Sequence, residues 1–199
     1  MKHFIKILFL FFFCLPFFLN AQQVTYKLAY DGPSQTYTVS MKSNTTYNPP
    51  LSRLTSSVQF TVVAPHVAGG WQVTNLTALT ALGWGVTVLE GTSTAPPIPA
   101  NDYLFFAPTN AGTYSPFIIP ANTYIDLFTF KSGSGCVGNL ALYDNVADPL
   151  NGIPSINGDN NMVILGAGPG NIYFGNDSGN VACAPPPPVC TAEAGTLSY

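Results

Sequence analysis

Charge is what this sequence has least of. Only 8% of its 199 residues are charged, six basic against nine acidic. Two of the basic residues, Lys2 and Lys6, sit at the extreme N-terminus, leaving Lys27, Lys42, Arg53 and Lys131 for the rest of the chain. Four scattered cations cannot neutralise a run of phosphates, so nucleic acid is excluded as a partner. Histidine is nearly as scarce, with His3 in the N-terminal segment and His66 beyond it. No Gly-x-Ser-x-Gly elbow occurs, and no histidine follows a candidate serine in hydrolase order. His66 lies between Pro65 and the Gly69-Gly70 pair, which places it in a loop facing solvent. Asp126 and Asp144 are the carboxylates one would nominate for a glycosidase, yet one lies in an apolar strand and the other at a strand end. The chain therefore reads as non-enzymatic. Helical periodicity is almost absent, and no cysteine pair has metal-binding CxxC spacing.

The N-terminus does carry a pattern. Lys2 and Lys6 precede an apolar run from Ile7 to Leu19, which ends at Asn20-Ala21 before a polar stretch. Basic residues, a short apolar block and a small residue make a secretory signal peptide over residues 1–21. The run is shorter than the roughly 20 residues that span a bilayer, and it contains Pro16, so no membrane span is expected in the processed chain. A secreted or cell-surface location follows. At the other end, Pro185-Pro186-Pro187-Pro188 makes a stiff polyproline spacer, assigned to residues 185–189. Residues 190–199 then begin like a fresh strand, the expected start of a second, truncated repeat domain. Residues 22–184 are left as one domain.

The cysteines fit an oxidising compartment. The proline run holds Cys183 and Cys190 about 20 Å apart, far beyond the roughly 7 Å between Cα atoms that a disulfide tolerates. Cys136 with Cys183 is the expected bridge.

The body of the chain alternates with a period of two. Val24, Tyr26, Leu28 and Tyr30 share one strand face. Tyr37, Val39 and Met41 share another, with Thr36, Thr38, Ser40 and Lys42 opposite. Val58, Phe60 and Val62, then Trp84, Val86 and Val88, continue the pattern. Further strands are expected over residues 103–107, 123–131, 138–143, 161–165 and 171–174. Residues 75–82 read as a helix or a turn. About nine short strands between Gly, Pro, Asn and Ser clusters predict an all-β, antiparallel, jelly-roll-like sandwich.

The Val58-Gln59-Phe60-Thr61-Val62 strand, the Leu127-Phe128-Thr129-Phe130-Lys131 strand, Cys136, and Leu140-Ala141-Leu142-Tyr143-Asp144-Asn145 before an Asn/Gly-rich tail together resemble cohesin-like domains. They are similar to the carbohydrate-binding-module-like sandwiches that begin large secreted proteins of gliding-motility bacteria. Cys190-Thr191-Ala192-Glu193-Ala194-Gly195-Thr196-Leu197-Ser198 is similar to the opening of repeat modules in gliding-motility-associated surface proteins, which use type IX secretion. The resemblance implies a sandwich with a binding or adhesive role and carries over no specific residue.

Two kinds of partner stay open: a protein, bound through a sheet face or loops, or a polysaccharide. A structural spacer is a third reading. Sugar binding needs exposed aromatic faces, and Trp71 after Gly69-Gly70 and Tyr114 in a Gly/Pro loop are the aromatics expected at the surface. No cofactor is required. Calcium is the one ion the oxygen-rich loops could take, with Asp144, Asn145, Asp148 and Asp159 as its ligands, although the same residue types also build turns.

Overall fold

The alternation in β1 (Val24–Asp31) and β2 (Thr36–Ser43) is matched in register. The pairs Tyr26↔Met41, Leu28↔Val39 and Tyr30↔Tyr37 put the apolar residues of both strands on one face. A one-residue slip would turn that whole face outward, so burial of this face fixes the pairing. The computed structural model describes residues 21–184. The segments read as a signal peptide, proline spacer and second domain, along with Cys14 and Cys190, lie outside the described residues apart from Ala21.

The remaining strands are β3 (Phe60–Pro65), β4 (Val73–Ala78), β5 (Trp84–Glu90), β6 (Asn101–Pro108), β7 (Tyr124–Ser132), β8 (Asn139–Leu142), β9 (Tyr173–Asn176) and β10 (Val181–Ala182). They form two five-stranded sheets, ordered β4-β7-β2-β1-β9 and β10-β8-β3-β6-β5. The expected all-β sandwich is what the chain folds into. All pairings are antiparallel except β1 with β9, which run parallel.

The core between the sheets is aromatic. Tyr26 stacks on Phe60 with ring centroids 3.9 Å apart. Phe128 meets Trp84 at 4.7 Å and Phe106 at 4.8 Å. Rings of this size bury large apolar areas and lock the two sheets at one spacing. A bulge between Val39 and Ser40 in the β2–β7 pairing lets both Leu127 and Phe128 be buried.

Two expected elements differ. Residues 75–82 are neither helix nor turn at their start, because β4 runs through Ala78 as an edge strand on β7. Residues 161–165 make isolated bridges, Gln59↔Asn161 and Leu54↔Ile164, followed by a 3-10 turn at Leu165–Ala167. The expected disulfide is present, joining Cys136 to Cys183 with Cα atoms 5.6 Å apart. It fastens β10 alongside β8, where Val181 pairs with Leu140. Among the described residues no helix is long and apolar enough to cross a membrane.

Candidate binding face

The two sheets differ in what covers their outer faces. Residues 144–160 leave β8 and fold back over the second sheet. Leu150 and Ile153, with Ile156 and Ile98 beside them, pack on Tyr103 and Tyr143 in a second small core. Asp148 caps the 3-10 helix Pro149–Gly152, accepting from the Leu150 N–H at 2.9 Å. Asn145 and Asn160 close the base of this excursion by reciprocal bonds, Asn160 N–H to Asn145 Oδ1 at 2.8 Å and Asn145 Nδ2 to the Asn160 carbonyl at 2.9 Å. The outer face of the second sheet is thereby roofed around Tyr103 and Tyr143, while Thr87 and Ala107 towards its β5 edge stay exposed.

The first sheet has no such roof. Its outward residues are the polar half of the strand alternation: Thr25 and Lys27 on β1, Thr38, Ser40 and Lys42 on β2, and Tyr124, Asp126 and Lys131 on β7. At one end of the face, where Thr25, Lys42 and Tyr124 pair side by side, stands a built network. One oxygen of Asp177, Oδ2, accepts from Tyr124 Oη at 2.5 Å and Thr25 Oγ1 at 2.9 Å, and Lys42 Nζ lies 2.5 Å from it. Lys27 Nζ and Lys42 Nζ lie 4.9 and 4.8 Å from the Tyr124 ring centroid, within cation–π range. Asp177 is placed by its own N–H, which donates to the Tyr26 carbonyl at 2.7 Å. Partial burial disfavours the ionised Asp177 carboxyl, but hydrogen bonds from Lys42, Tyr124 and Thr25 outweigh it and hold the group below its ordinary range. The hydrogen bond to Asp177 raises Lys42 in turn. Both groups stay charged at neutral pH. Nearby, Ser40 Oγ donates to Asp126 Oδ1 at 2.6 Å.

The aromatics expected at the surface are in the core. Trp71 is 1% exposed and Tyr114 is 4% exposed. Gly69 and Gly70, with φ of 85° and 80°, turn the chain so that the following indole points inward. The Tyr114 hydroxyl is drawn in by the Leu54 backbone, with which it exchanges bonds to both N–H and carbonyl. Neither residue can form a stacking platform. Among the described residues the most exposed large aromatics are Tyr124 and Phe174, 36% and 66% exposed.

The expected calcium ligands are engaged in bonds within their own loops. Asp144 Oδ1 accepts the N–H groups of Val146 and Ala147 at 2.8 and 3.0 Å, and these bonds hold its carboxyl below the ordinary value. Asn145 is bonded to Asn160, as described above, and Asp148 to Tyr103 and Leu150. Asp144, Asp148 and Asp159 form no cluster able to hold a metal, and no such group of His, Cys, Asp and Glu occurs among the described residues.

His66 is not the free loop residue its neighbours suggested. Its Nδ1 lies 2.8 Å from Oδ1 of the fully buried Asp102, which also accepts from the Val67 N–H at 3.1 Å and the Gly91 N–H at 3.3 Å. The pair ties the 66–70 loop to the bend at Gly91. Asp126 and Asp144 belong to different sheets, one facing outward on β7 and the other following β8. Sequence reasoning missed Asp102 and Asp177. Asp102 could have been suspected as an acid at an inward-paired position, opposite Ala64 on β3. Asp177 had no local signal.

No family model matches the chain, and no curated protein matches it. Among solved structures it is similar to a chain of the CaDoc0917–CaCohA2 complex, at 14% identity over 81% of this chain and 100% of that one, with a TM-score of 0.36. It is similar to the seventh ScaB type I cohesin of Pseudobacteroides cellulosolvens at 13% identity, covering 84% and 96%, with a TM-score of 0.35. It is also similar to CaCohA2 from Clostridium acetobutylicum at 16% identity, covering 81% and 90%, with a TM-score of 0.35.

Proposed function

We propose that this chain is a non-catalytic, protein-binding module of a secreted or surface-displayed protein, and that it makes contact through the open face of its first sheet. The observation that carries this reading is the asymmetry of the sandwich: the chain's own 144–160 excursion packs over the middle of one outer face, and no such segment packs on the other. The bare face also carries Lys27, Lys42 and Lys131, three of the four cations in the described residues, the first two set against a preorganised Tyr124–Asp177 pair and the third at the far end of β7. A fixed network of this kind presents donors and acceptors without first having to order them, which lowers the entropic cost of association. Threonines and lysines on a flat sheet suit a hydrogen-bonding protein surface. A polysaccharide platform wants a row of exposed rings, and Tyr124 with the edge residue Phe174 does not make one.

Export through residues 1–21, continuation past a 185–189 spacer into a further domain at 190–199, and membership among gliding-motility-associated surface proteins belong to the same proposal. They rest on the sequence patterns already described.

The test is a photo-crosslinking side chain placed at Thr38, in the middle of the face, with Val146 on the exposed roof as control. A discrete protein adduct at position 38, absent at 146 and lost with Lys27→Glu in a folded variant, is the expected result. Retention on an insoluble polysaccharide that disappears with Tyr124→Ala would replace this reading with carbohydrate binding.

A further inference from the structure

A sandwich has four sheet edges, and three of these are guarded. β4 is broken by an irregularity between Thr74 and Thr77, where Asn75 takes a φ of 51°. β9 has four residues and β10 has two, with the Cys136–Cys183 bridge beside it. The fourth edge, β5, is seven residues long, regular against β6 throughout, and free of proline or charge until Glu90. A long, regular, uncharged edge is a template for another strand.

The register says which of its groups are available. The Thr109 N–H donates to the Gly83 carbonyl at 3.0 Å, so Gly83 and Thr109 form a hydrogen-bonded pair at the mouth of the β5–β6 hairpin. Hydrogen-bonded and non-bonded pairs alternate along an antiparallel ladder. Gly85, Thr87 and Leu89 therefore bond to β6, and Trp84, Val86 and Val88 direct their N–H and C=O groups away from the sheet. Pro108 opposite Trp84 agrees with this phase, since proline has no N–H to give. Among the described residues none of the backbone groups of Trp84, Val86 or Val88 has a partner beyond β6. The edge stops at Glu90, whose carbonyl accepts from Ser93 Oγ at 2.6 Å.

We propose that β5 pairs with β5 of a second copy of this chain, antiparallel about a twofold axis through Thr87, so that two second sheets become one continuous sheet. The sequence of the strand is self-complementary in that arrangement. Val86 meets Val88 of the other copy as a hydrogen-bonded pair, extending the inner core with two β-branched residues. Gly85 lies opposite Leu89, leaving room for the larger side chain. Thr87 meets its own symmetry mate as a non-bonded pair, with outward hydroxyls and Cα atoms about 4.5 Å apart. The exposed Thr87 is the one outward side chain that must face itself. No like charges oppose each other. This pairing leaves the open face of the first sheet free, so it stands or falls independently of the proposed function.

Sedimentation velocity on the purified chain gives the first readout, with a reversible, concentration-dependent dimer expected. Thr87→Lys sets two ammonium groups against each other at the axis and is expected to raise the dimer dissociation constant by about tenfold, less so at high salt. Thr87→Cys tests the register directly, because a Cα separation of about 4.5 Å falls within disulfide range. Air oxidation should yield a peptide joined from position 87 to position 87, which Leu89→Cys does not give. A monomer at every concentration, a dimer indifferent to Thr87→Lys, or no peptide linked at position 87 would each overturn the pairing.

Discussion

The Tyr103 hydroxyl donates to Asp148 Oδ1 at 2.9 Å, and the same oxygen accepts the Leu150 N–H at 2.9 Å. One carboxylate thus joins the second sheet to the segment that covers it. Tyr103→Phe removes one of the two bonds and keeps the packing, with an expected loss of about 1 kcal/mol. Asp148→Ala removes the cap as well and leaves the buried hydroxyl unpaired, with an expected loss of about 2 kcal/mol. Urea denaturation measures both. Amide exchange should quicken at Leu150 and Ile153 while β3 and β6 stay protected.

The acid limb of stability should carry the signature of Asp177. Its folded carboxyl titrates below the ordinary value of 3.8. Its ion pair and hydrogen bonds therefore contribute fully above that value, and the contribution is lost as pH falls through the lower, folded one. The stability difference between the protein and Asp177→Asn should be constant at neutral pH and shrink in the acid range. A difference that grows on acidification would contradict the network.

Trp71 and Tyr114 should behave as core residues. Trp71→Ala is expected to cost about 3 to 5 kcal/mol. Tyr114→Phe, which deprives Leu54 of its partner, should cost about 1 to 2 kcal/mol. Thermal melts followed by near-ultraviolet circular dichroism report both, and any loss of binding should track the loss of fold.

Gly91 has no room for a methyl group. A Cβ there would stand 2.1 Å from the Asn101 carbonyl oxygen and 2.2 Å from that of Ile98. Gly91→Ala should destabilise by about 3 kcal/mol. Gly32→Ala, where a Cβ meets nothing within 4 Å, is the neutral control.

Reduction, or Cys136→Ser, opens a loop of 47 residues. Chain-entropy arguments put the loss at about 4 kcal/mol. The difference in urea midpoint between oxidised and reduced protein checks it.

The strands that face a core on one side were legible because alternation with a period of two survives wherever burial is one-sided. Val24 to Leu28 and Tyr37 to Met41 both show it. The same logic displayed the open face in advance, since Thr36, Thr38, Ser40 and Lys42 are the polar half of β2. β4 escaped because Leu76, Leu79 and Leu82 recur every third residue and mimic a helix, while its edge position leaves Thr74, Asn75 and Thr77 in water. Trp71 and Tyr114 were misplaced because glycine and proline mark turns without saying which way the next side chain points. The Asp177 network joins residues far apart in sequence, Lys42 to Tyr124 to Asp177, through the pairing of β2 with β7 and of β1 with β9. Long-range pairing of that kind, the parallel β9 above all, has no local signature.

The position of the disulfide matters when the chain is pulled rather than heated. Tension applied between residues 21 and 184 passes directly from Cys183 to Cys136. β8, the 144–160 excursion, β9 and β10 lie inside that covalent shunt and bear no load, whereas β1 to β7 can be drawn out. At about 3.4 Å per extended residue, the 47-residue separation withholds roughly 160 Å of contour length from an oxidised molecule. Oxidation state thus sets how far the module can lengthen under force, in addition to how stably it folds.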